Sequence, residues 1–296
     1  MEAAGEATAA VTESPSRPRP LFSTSVGSGP AVLLIQGVGV IGAGWSPQVD
    51  AMAGRFRMIA CDNRGAGSSP LGDVPLSIEM MADDAIGIMD SNGIDHFHVV
   101  GHSMGGLIAQ QVALKAPHRV KSLSLLCTFA SGKDGSRMSP GMLISALRLR
   151  IGSREMRRQA MLSLIMPADY LRTVDRARLA RTIGSLFGRD LSEQPAIVMK
   201  QLRAMSRYTA ASRLHELRSL PSLVVSGSFD RIARPNLGRA LSEGLGARYV
   251  EFQDAGHALP IQCEDRLNAL LVEHIDRAES FARSDAQPAG PIGCHA

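Results

Sequence analysis

Aromatic residues are scarce in this chain. They make up 4% of its 296 residues, with one Trp and three Tyr among them. The interior therefore has to be built from aliphatic side chains and methionine, and a hydrophobic content of 45% supplies enough of them for a substantial core. The length suits one large α/β domain, alone or with an inserted subdomain.

Cysteine is also rare. The four cysteines are Cys61, Cys127, Cys263 and Cys294. They form no C-x-x-C pair and have no metal-ligand spacing, so the sequence predicts no bound metal. Cys61 and Cys127 lie in apolar, strand-like runs, where a reduced and buried thiol is the ordinary interpretation. This usage indicates a reducing compartment.

Long apolar runs and strong charge are missing as well. No apolar run approaches the ~20 residues that a membrane span needs. The first residues lack the basic start and apolar block of a secretory signal. A formal net charge of +4 is too small to indicate nucleic-acid binding. We therefore expect a cytoplasmic protein with no nucleic-acid partner and no stable membrane insertion, and the oligomeric state stays open.

Both ends of the chain are rich in proline and small residues. Residues 1–20 contain a Pro-rich stretch at 14–20, and residues 281–296 contain a similar one at 287–291. Such stretches cannot pair as a strand or continue a helix. We predict a disordered N-terminal segment over 1–20 and a disordered tail over 281–296.

Between these ends, apolar runs alternate with stretches of helical periodicity. The predicted strands are 31–35, 57–61, 97–100, 120–127, 222–226 and 248–252, and the helices among them are 77–93, 107–116 and 264–278. Runs that are apolar throughout are typical of strands covered on both faces. The alternation predicts an α/β fold with a mostly parallel, eight-stranded-type sheet and helices on both faces. Ligands of such sheets bind at the carboxyl ends of the strands.

Residues 131–220 interrupt this alternation. The predicted helices there are 143–150, 154–165, 175–187 and 197–206. We interpret the segment as a helical lid over the strand ends, inserted between core segments 21–130 and 221–280. It holds 17 Lys and Arg against 7 Asp and Glu. A solvated outer face explains this charge, and two alternatives stay open: a basic entrance for carboxylate substrates and binding to an anionic membrane surface.

The most specific motif is Gly101-His102-Ser103-Met104-Gly105-Gly106, between a predicted strand and a predicted helix. A lone G-x-S-x-G is common, but this context is typical of a nucleophile elbow, where Gly101 and Gly105 permit a tight turn and Ser103 stands at the top of the sheet. The helix start also favours developing negative charge. A phosphate-binding turn is the alternative, but the lysine of a P-loop is missing.

Together with the turn at 36–39, the segment 62–68 and the Asp and His segments near the C-terminus, this motif resembles the α/β-hydrolase superfamily. The resemblance covers about 21–278 and is strongest to the small lactonase, esterase and cofactor-free peroxidase group, with a layout similar to enol-lactonases that act on 3-oxoadipate enol-lactone. It implies an α/β-hydrolase fold, a serine nucleophile, and no metal or organic cofactor.

A serine hydroxyl needs a base, and the base needs an orienting carboxylate. Among eight histidines, His257 lies on a loop after the last predicted strand, where the family carries its catalytic histidine. Asp230 ends the preceding strand and resembles the acid of the family. Asp134 is the rival, because some members carry the acid one strand earlier. The family order of serine, acid and histidine matches Ser103, Asp230 and His257. His102 is interpreted as the variable elbow position.

Acyl transfer builds negative charge on a carbonyl oxygen, which two backbone N–H groups can stabilise. By resemblance, these donors are Val38 and Met104. The chain departs from the family where Gln36 replaces a common histidine, a change that leaves the backbone donors in place. Trp45 is interpreted either as packing under the turn or as lining the acyl pocket. Arg64 is interpreted as a structural residue.

These motifs predict an enzyme, a serine hydrolase of carboxylesterase or lactonase type that cleaves a small-molecule ester or lactone through an acyl-enzyme. A cofactor-free peroxidase or a carbon–carbon bond hydrolase would use the same triad, and a slow-turnover ligand sensor or a membrane-surface lipase is a further alternative. Six lid residues are predicted either to line an apolar pocket or to pack helices. They are Met138, Met142, Met161, Leu164, Ile165 and Met166.

Overall fold

The computed structural model describes residues 21–135, 144 and 147–285. Several predictions fall outside this part of the chain. They are the disordered segment 1–20, the tail beyond residue 285, Met138, Met142 and residues 143, 145 and 146 of the helix predicted over 143–150.

The sheet contains seven strands in the described part of the chain, in the order β1-β3-β2-β4-β5-β6-β7. The strands are β1 Ser23–Val26, β2 Ala31–Ile35, β3 Arg57–Cys61, β4 Phe97–His102, β5 Val120–Leu126, β6 Ser222–Gly227 and β7 Arg248–Phe252. Strand β1 pairs with β3 in antiparallel orientation, and all other pairs are parallel. The predicted α/β class with a mostly parallel sheet is confirmed.

Two details of the sheet differ from the prediction. Within the described residues, seven strands form where an eight-stranded type was expected. Strand β1 was not predicted, because its sequence Ser-Thr-Ser-Val has no apolar run and three of its four residues are exposed. As an antiparallel edge strand, it pairs through its backbone and needs no buried face.

Helices cover both faces of the sheet and fill the segment between β5 and β6. They are α1 Ser46–Met52, α2 Ile78–Ser91, α3 Met104–Lys115, α4 Gly132–Gly135, α5 Arg154–Ile165, α6 Ala168–Thr173, α7 Arg176–Phe187, α8 Ala196–Arg207, α9 Pro235–Leu245, α10 Leu259–Gln262 and α11 Glu264–Asp285, with 3-10 helices at Gly42–Trp45 and Ala211–Leu217. None of the helices in the described ranges combines the length and the apolar character that crossing a membrane requires.

Local sequence accounts for several helix boundaries. The hydroxyl of Ser77 accepts from the Met80 N–H at the start of α2, and Asp175 accepts from two N–H groups at the start of α7. Helix α7 ends at Gly188, which has a left-handed φ of 68°. Helix α11 continues to Asp285, beyond its predicted end at 278, because no proline interrupts the chain before Pro288. Residues 281–285 are therefore helical, and the predicted tail began too early.

The core consists of two apolar clusters. The larger one surrounds the sheet, where β2 and β4 are buried along their whole length. The smaller one lies within the segment between β5 and β6 and includes Met161, Leu162 and Ile165. Ala258 belongs to this second cluster, and its N–H donates to the Ile165 carbonyl at 2.9 Å. The helical segment is therefore attached to the loop that carries His257, at the carboxyl edge of the sheet.

Candidate active site

Ser103 lies in a strained turn between β4 and α3. Its backbone has φ 56° and ψ −120°, one of two left-handed conformations at a non-glycine residue in the described chain. The next strand holds this turn: the Ser103 N–H donates to the Leu126 carbonyl at 2.9 Å, and the Ser103 carbonyl accepts from the Thr128 hydroxyl at 2.7 Å. The strain is therefore maintained by fixed partners, as expected at a functional turn.

The glycines of the elbow allow backbone segments to approach closely. A Cβ on Gly105 would lie 2.1 Å from the Ile35 carbonyl oxygen, and one on Gly101 would lie 2.3 Å from the Gly105 oxygen. Because both neighbours are backbone atoms, neither can move aside as a flexible side chain would. The motif thus has a steric reason for glycine on both sides of the serine.

His257 connects the serine to a carboxylate. Its Nε2 lies 3.0 Å from Ser103 Oγ, and its Nδ1 lies 2.7 Å from Asp230 Oδ2. A carboxylate oxygen only accepts, so the ring proton belongs on Nδ1, which leaves Nε2 free to accept from the serine hydroxyl. The structure therefore brings the three predicted residues together in the order that proton abstraction from the serine requires.

Asp230 is held on its other side as well. Its Oδ1 accepts from the N–H groups of Ile232 and Ala233, each at 2.8 Å, and its side chain is fully buried. These two bonds fix the carboxylate plane and direct Oδ2 at His257. The rival acid, Asp134, lies in the short helix α4, and the partner of His257 Nδ1 is Asp230.

The turn after β2 lies directly against the serine. A Cβ on Gly37 would be 2.9 Å from Ser103 Cβ and 3.4 Å from Ser103 Oγ. Val38 follows in this turn and lines the same cavity as Ser103. Met104 is the first residue of α3, where a backbone N–H has no carbonyl of its own helix to bind. Both predicted oxyanion donors therefore lie next to the serine.

Comparison with known proteins identifies the family. The model of the alpha/beta hydrolase fold family matches residues 30–262. The chain belongs to the α/β-hydrolase family. Its resemblance to this family, inferred from the motifs, is thereby confirmed.

Individual α/β-hydrolases match over nearly their whole length. One relative is RutD of Rhizobium rhizogenes, a protein named as a carbamate hydrolase. It is 30% identical over 255 residues, covering 85% of this chain and 94% of that protein. A pimeloyl-[acyl-carrier protein] methyl ester esterase of Aeromonas hydrophila is 29% identical over 84% of this chain and 96% of its own. The enol-lactonase of Burkholderia xenovorans LB400 superposes with a TM-score of 0.72 at 27% identity, over 86% of this chain and 96% of the other.

In this α/β-hydrolase a cavity of about 470 Å³ opens beside Ser103 and His257. Its walls come from the turn after β2, from Phe129 just after β5 and from the helical segment between β5 and β6. Most lining side chains are apolar, and Arg189 and Arg203 are the two charged residues that the described chain contributes to the lining. The volume is that of an ordinary small-molecule site.

The predictions for pocket residues hold in part. Met161, Leu164 and Ile165 line the cavity. Met166 does not, because its side chain is buried in the smaller apolar cluster and borders a separate hollow.

Trp45, interpreted from sequence either as packing under the turn or as lining the pocket, is completely buried. It packs edge-on against His102, with ring centroids 6.5 Å apart. It therefore packs beneath the turn, outside the cavity lining.

His102 has a role that its sequence position did not indicate. Its Nε2 donates to the backbone carbonyl of His257 at 2.9 Å. Burial, and then the neighbouring charge of His257, lowers the pKa of His102 to about 3, so the ring is neutral and carries its proton on Nε2. The two residues are 155 positions apart, and no local pattern could have paired them.

One group of possible metal ligands occurs in the described part of the chain. One donor atom each from His102, Cys127 and His257 lies within 4.8 Å of the others. Both nitrogens of His257 are already bound to Asp230 and Ser103. Burial raises the pKa of the Cys127 thiol well above its ordinary value, so the thiolate that metal binding needs is disfavoured. The chemistry of this group therefore does not fit a metal site, and His257 is held instead by Asp230 and Ser103.

Arg64, interpreted from sequence as structural, pairs with Asp84 on α2. Its Nε donates to Asp84 Oδ2 at 2.8 Å, and a second, parallel bond joins the other guanidinium and carboxylate atoms. Neither residue lines the cavity beside Ser103. The pair connects the 62–68 segment to the helix layer.

Proposed function

We propose that this protein is a serine hydrolase that cleaves a carboxylic ester or lactone through an acyl-enzyme. The observation that carries the proposal is the continuous contact from Asp230 through His257 to Ser103, at 2.7 and 3.0 Å, at the floor of an apolar cavity. Membership of the α/β-hydrolase family supports it.

The geometry permits a two-step reaction. Ser103 Oγ attacks the carbonyl carbon while its proton passes to His257 Nε2, and the resulting oxyanion is stabilised by the N–H groups of Val38 and Met104. His257 then returns the proton to the leaving alkoxide as the carbon–oxygen bond breaks. A water molecule, deprotonated by His257, then attacks the acyl carbon. As the bond from this carbon to Ser103 Oγ breaks, His257 returns the proton to Oγ, which releases the acid and restores the serine.

The cavity constrains the substrate class. Its apolar walls favour a hydrocarbon acyl or alkyl group, and Arg189 with Arg203 favour a neutral or anionic substrate over a cationic one. The relatives support esters through the methyl ester esterase and lactones through the enol-lactonase. A carbamate is the second candidate, because RutD proteins are named for it and a carbamate can carbamoylate the same serine.

The first experiment measures hydrolysis of p-nitrophenyl esters from acetyl to decanoyl, of γ- and δ-lactones, and of a phenyl carbamate. Ser103→Ala should lower kcat by roughly 10³-fold or more. Ser185→Ala, on the exposed face of α7, is the matched control and should keep native kinetics. A fluorophosphonate probe should add its mass to Ser103 in the native protein only.

Two outcomes would contradict the proposal. Equal turnover in the native protein and in Ser103→Ala would place the chemistry elsewhere. A folded native protein that neither turns over nor reacts with the probe, but is stabilised against heat by small ligands, would indicate a ligand sensor on a hydrolase scaffold.

We also propose that the protein is located in the cytoplasm. Cys61, Cys127 and Cys263 are free and buried, which suits a reducing compartment such as the cytoplasm.

A further inference from the structure

The helical segment between β5 and β6 holds the residue next to a proposed oxyanion donor. Gly39 directly follows Val38. Its N–H donates to Gln201 Oε1 at 2.8 Å, and its carbonyl accepts from Arg189 Nε at 3.3 Å. Gln201 lies on α8 and Arg189 follows α7, so both backbone groups of Gly39 are bound by this segment and not by the sheet.

Packing makes this contact specific. Gly39 has a left-handed φ of 68°, and a Cβ there would lie 2.9 Å from Val198 Cγ2 and 3.3 Å from Arg189 Nη2. Glycine is therefore required both by the backbone conformation and by the closeness of α8. The turn and the helix touch with no space for a side chain between them.

Gln201 is unusual among the polar residues described between β5 and β6 because it is completely buried. Within the described chain its Nε2 has no hydrogen-bond partner, while its Oε1 accepts from Gly39. Burying an amide is unfavourable unless its hydrogen bonds are satisfied. The contact that compensates is the one to Gly39, which indicates that the acceptor oxygen is the functional part of this side chain.

We propose that Gln201, assisted by Arg189, is a positioning residue that orients the Val38 N–H towards the oxyanion. The inference rests on the proposed function. Gln201 fixes the peptide between Val38 and Gly39, and only the φ and ψ torsions of Val38 separate that peptide from the Val38 N–H. The other end of the turn is fixed by Asn63, whose side chain donates to the Gln36 carbonyl at 2.8 Å.

The kinetic consequence follows from when the oxyanion forms. The donor interacts with a full negative charge only in the transition state, so its misorientation lowers kcat and leaves KM nearly unchanged. Loss of a whole oxyanion donor costs about 10²- to 10³-fold in kcat. A donor that is present but released from its fixed orientation should cost less, on the order of 10-fold.

The test compares two substitutions at one position. Gln201→Met keeps the length and removes the acceptor, so kcat per fluorophosphonate-titrated site should fall on the order of 10-fold with KM within about twofold. Gln201→Glu keeps an acceptor oxygen but adds a negative charge when it is ionised at this buried position. Its protonated form is the neutral match to Gln201, so its kcat relative to Gln201→Met should rise as the pH is lowered. A trifluoromethyl ketone, which forms an oxyanion on the serine, should lose affinity for Gln201→Met in parallel with kcat.

Gln159→Met is the matched control. Gln159 lies on α5, where its side-chain amide donates to Glu155 of the same helix, and it should show native kinetics. Native kcat in Gln201→Met, equal losses in the Met and Glu variants at every pH, or a loss confined to KM would each overturn the inference. Failure of the proposed function is distinguishable, because it would show as equal activity of the native protein and Ser103→Ala.

Discussion

The ring of His102 donates from Nε2 to the backbone carbonyl of His257, at 2.9 Å. The residue beside the nucleophile thus holds the backbone of the base. On the opposite side, the Ala258 N–H donates to the Ile165 carbonyl at 2.9 Å. The loop that carries His257 is therefore fixed between the elbow and the helical segment. Asp230, which binds Nδ1, orients the imidazole.

Two substitutions of His102 should distinguish the effect of its hydrogen bond from the effect of the shape of its ring. His102→Gln places an amide N–H near the position of Nε2 and should retain most activity. His102→Phe fills the space without a donor and leaves the buried His257 carbonyl unsatisfied. We expect kcat to fall roughly 10-fold in His102→Phe, with a stability loss of ~1–3 kcal/mol. Steady-state kinetics and urea unfolding measure both effects, and identical behaviour of the two variants would show that the ring's shape matters and not its hydrogen bond.

Asp230 and Asp134 provide a paired test of the acid. In Asp230→Asn, the oxygen that accepts from the Ile232 and Ala233 N–H groups can be kept, but the amide NH₂ then faces His257 Nδ1 and favours the wrong tautomer. We expect kcat to fall by about 10³- to 10⁴-fold, with Ser103 still in place. Asp134→Asn should retain native kcat. The reverse pattern would assign the acid to the end of β5.

Sequence patterns could predict the sheet core because buried parallel strands are apolar throughout. Strands β2, β3 and β7 begin and end where the pattern placed them. Strand β1 has no such run and pairs through its backbone alone. Helix α3 begins at Met104, three residues before its predicted start, because the glycines after Ser103 continue the helix instead of delaying it.

The residues of the candidate site were likewise predictable from sequence only in part. Ser103, Asp230 and His257 could be named because each lies in a motif at the end of a strand. Gln201 and His102 could not, because their contacts join positions 162 and 155 residues apart along the chain. Such pairs depend on tertiary packing between distant segments, which has no period in the sequence.

Buried histidines should make the protein sensitive to mild acid. Burial lowers the pKa of His274 to about 4 and that of His102 to about 3. Histidine in an unfolded chain has a pKa of about 6.5. Between these values the unfolded state binds protons that the native state does not, so the free energy of unfolding rises with pH in this window. The contribution is complete above about pH 6.5 and is lost as pH falls towards 4.

Guanidinium unfolding at pH 5, 6, 7 and 8 measures this dependence. Each of these histidines adds a slope of up to ~1.4 kcal/mol per pH unit below its unfolded pKa. His274→Gln removes one of them and should reduce the slope between pH 5 and 6 by close to that amount, whatever its effect at pH 8. An unchanged slope would mean that His274 protonates in the native state as it does in the unfolded chain.

Two glycines in different surroundings should respond oppositely to alanine. A Cβ on Gly105 would meet the Ile35 carbonyl oxygen at 2.1 Å and the Gln36 oxygen at 2.8 Å, both backbone atoms that anchor β2 and the oxyanion turn. We expect Gly105→Ala to cost at least ~3 kcal/mol and to abolish turnover in any protein that still folds. Gly87 lies on the exposed face of α2, and a Cβ there would have nothing within 4 Å.

Gly87→Ala should therefore stabilise the protein by ~0.5–1 kcal/mol, because alanine loses less backbone entropy than glycine on forming a helix. Thermal unfolding should show a rise of roughly 2 °C, with kcat unchanged. The pair separates helix propensity from steric need within one fold. A Gly105→Ala variant with native stability and activity would mean that β2 and the elbow can move apart, and the close approach that places the turn at 36–39 against Ser103 would lose its structural basis.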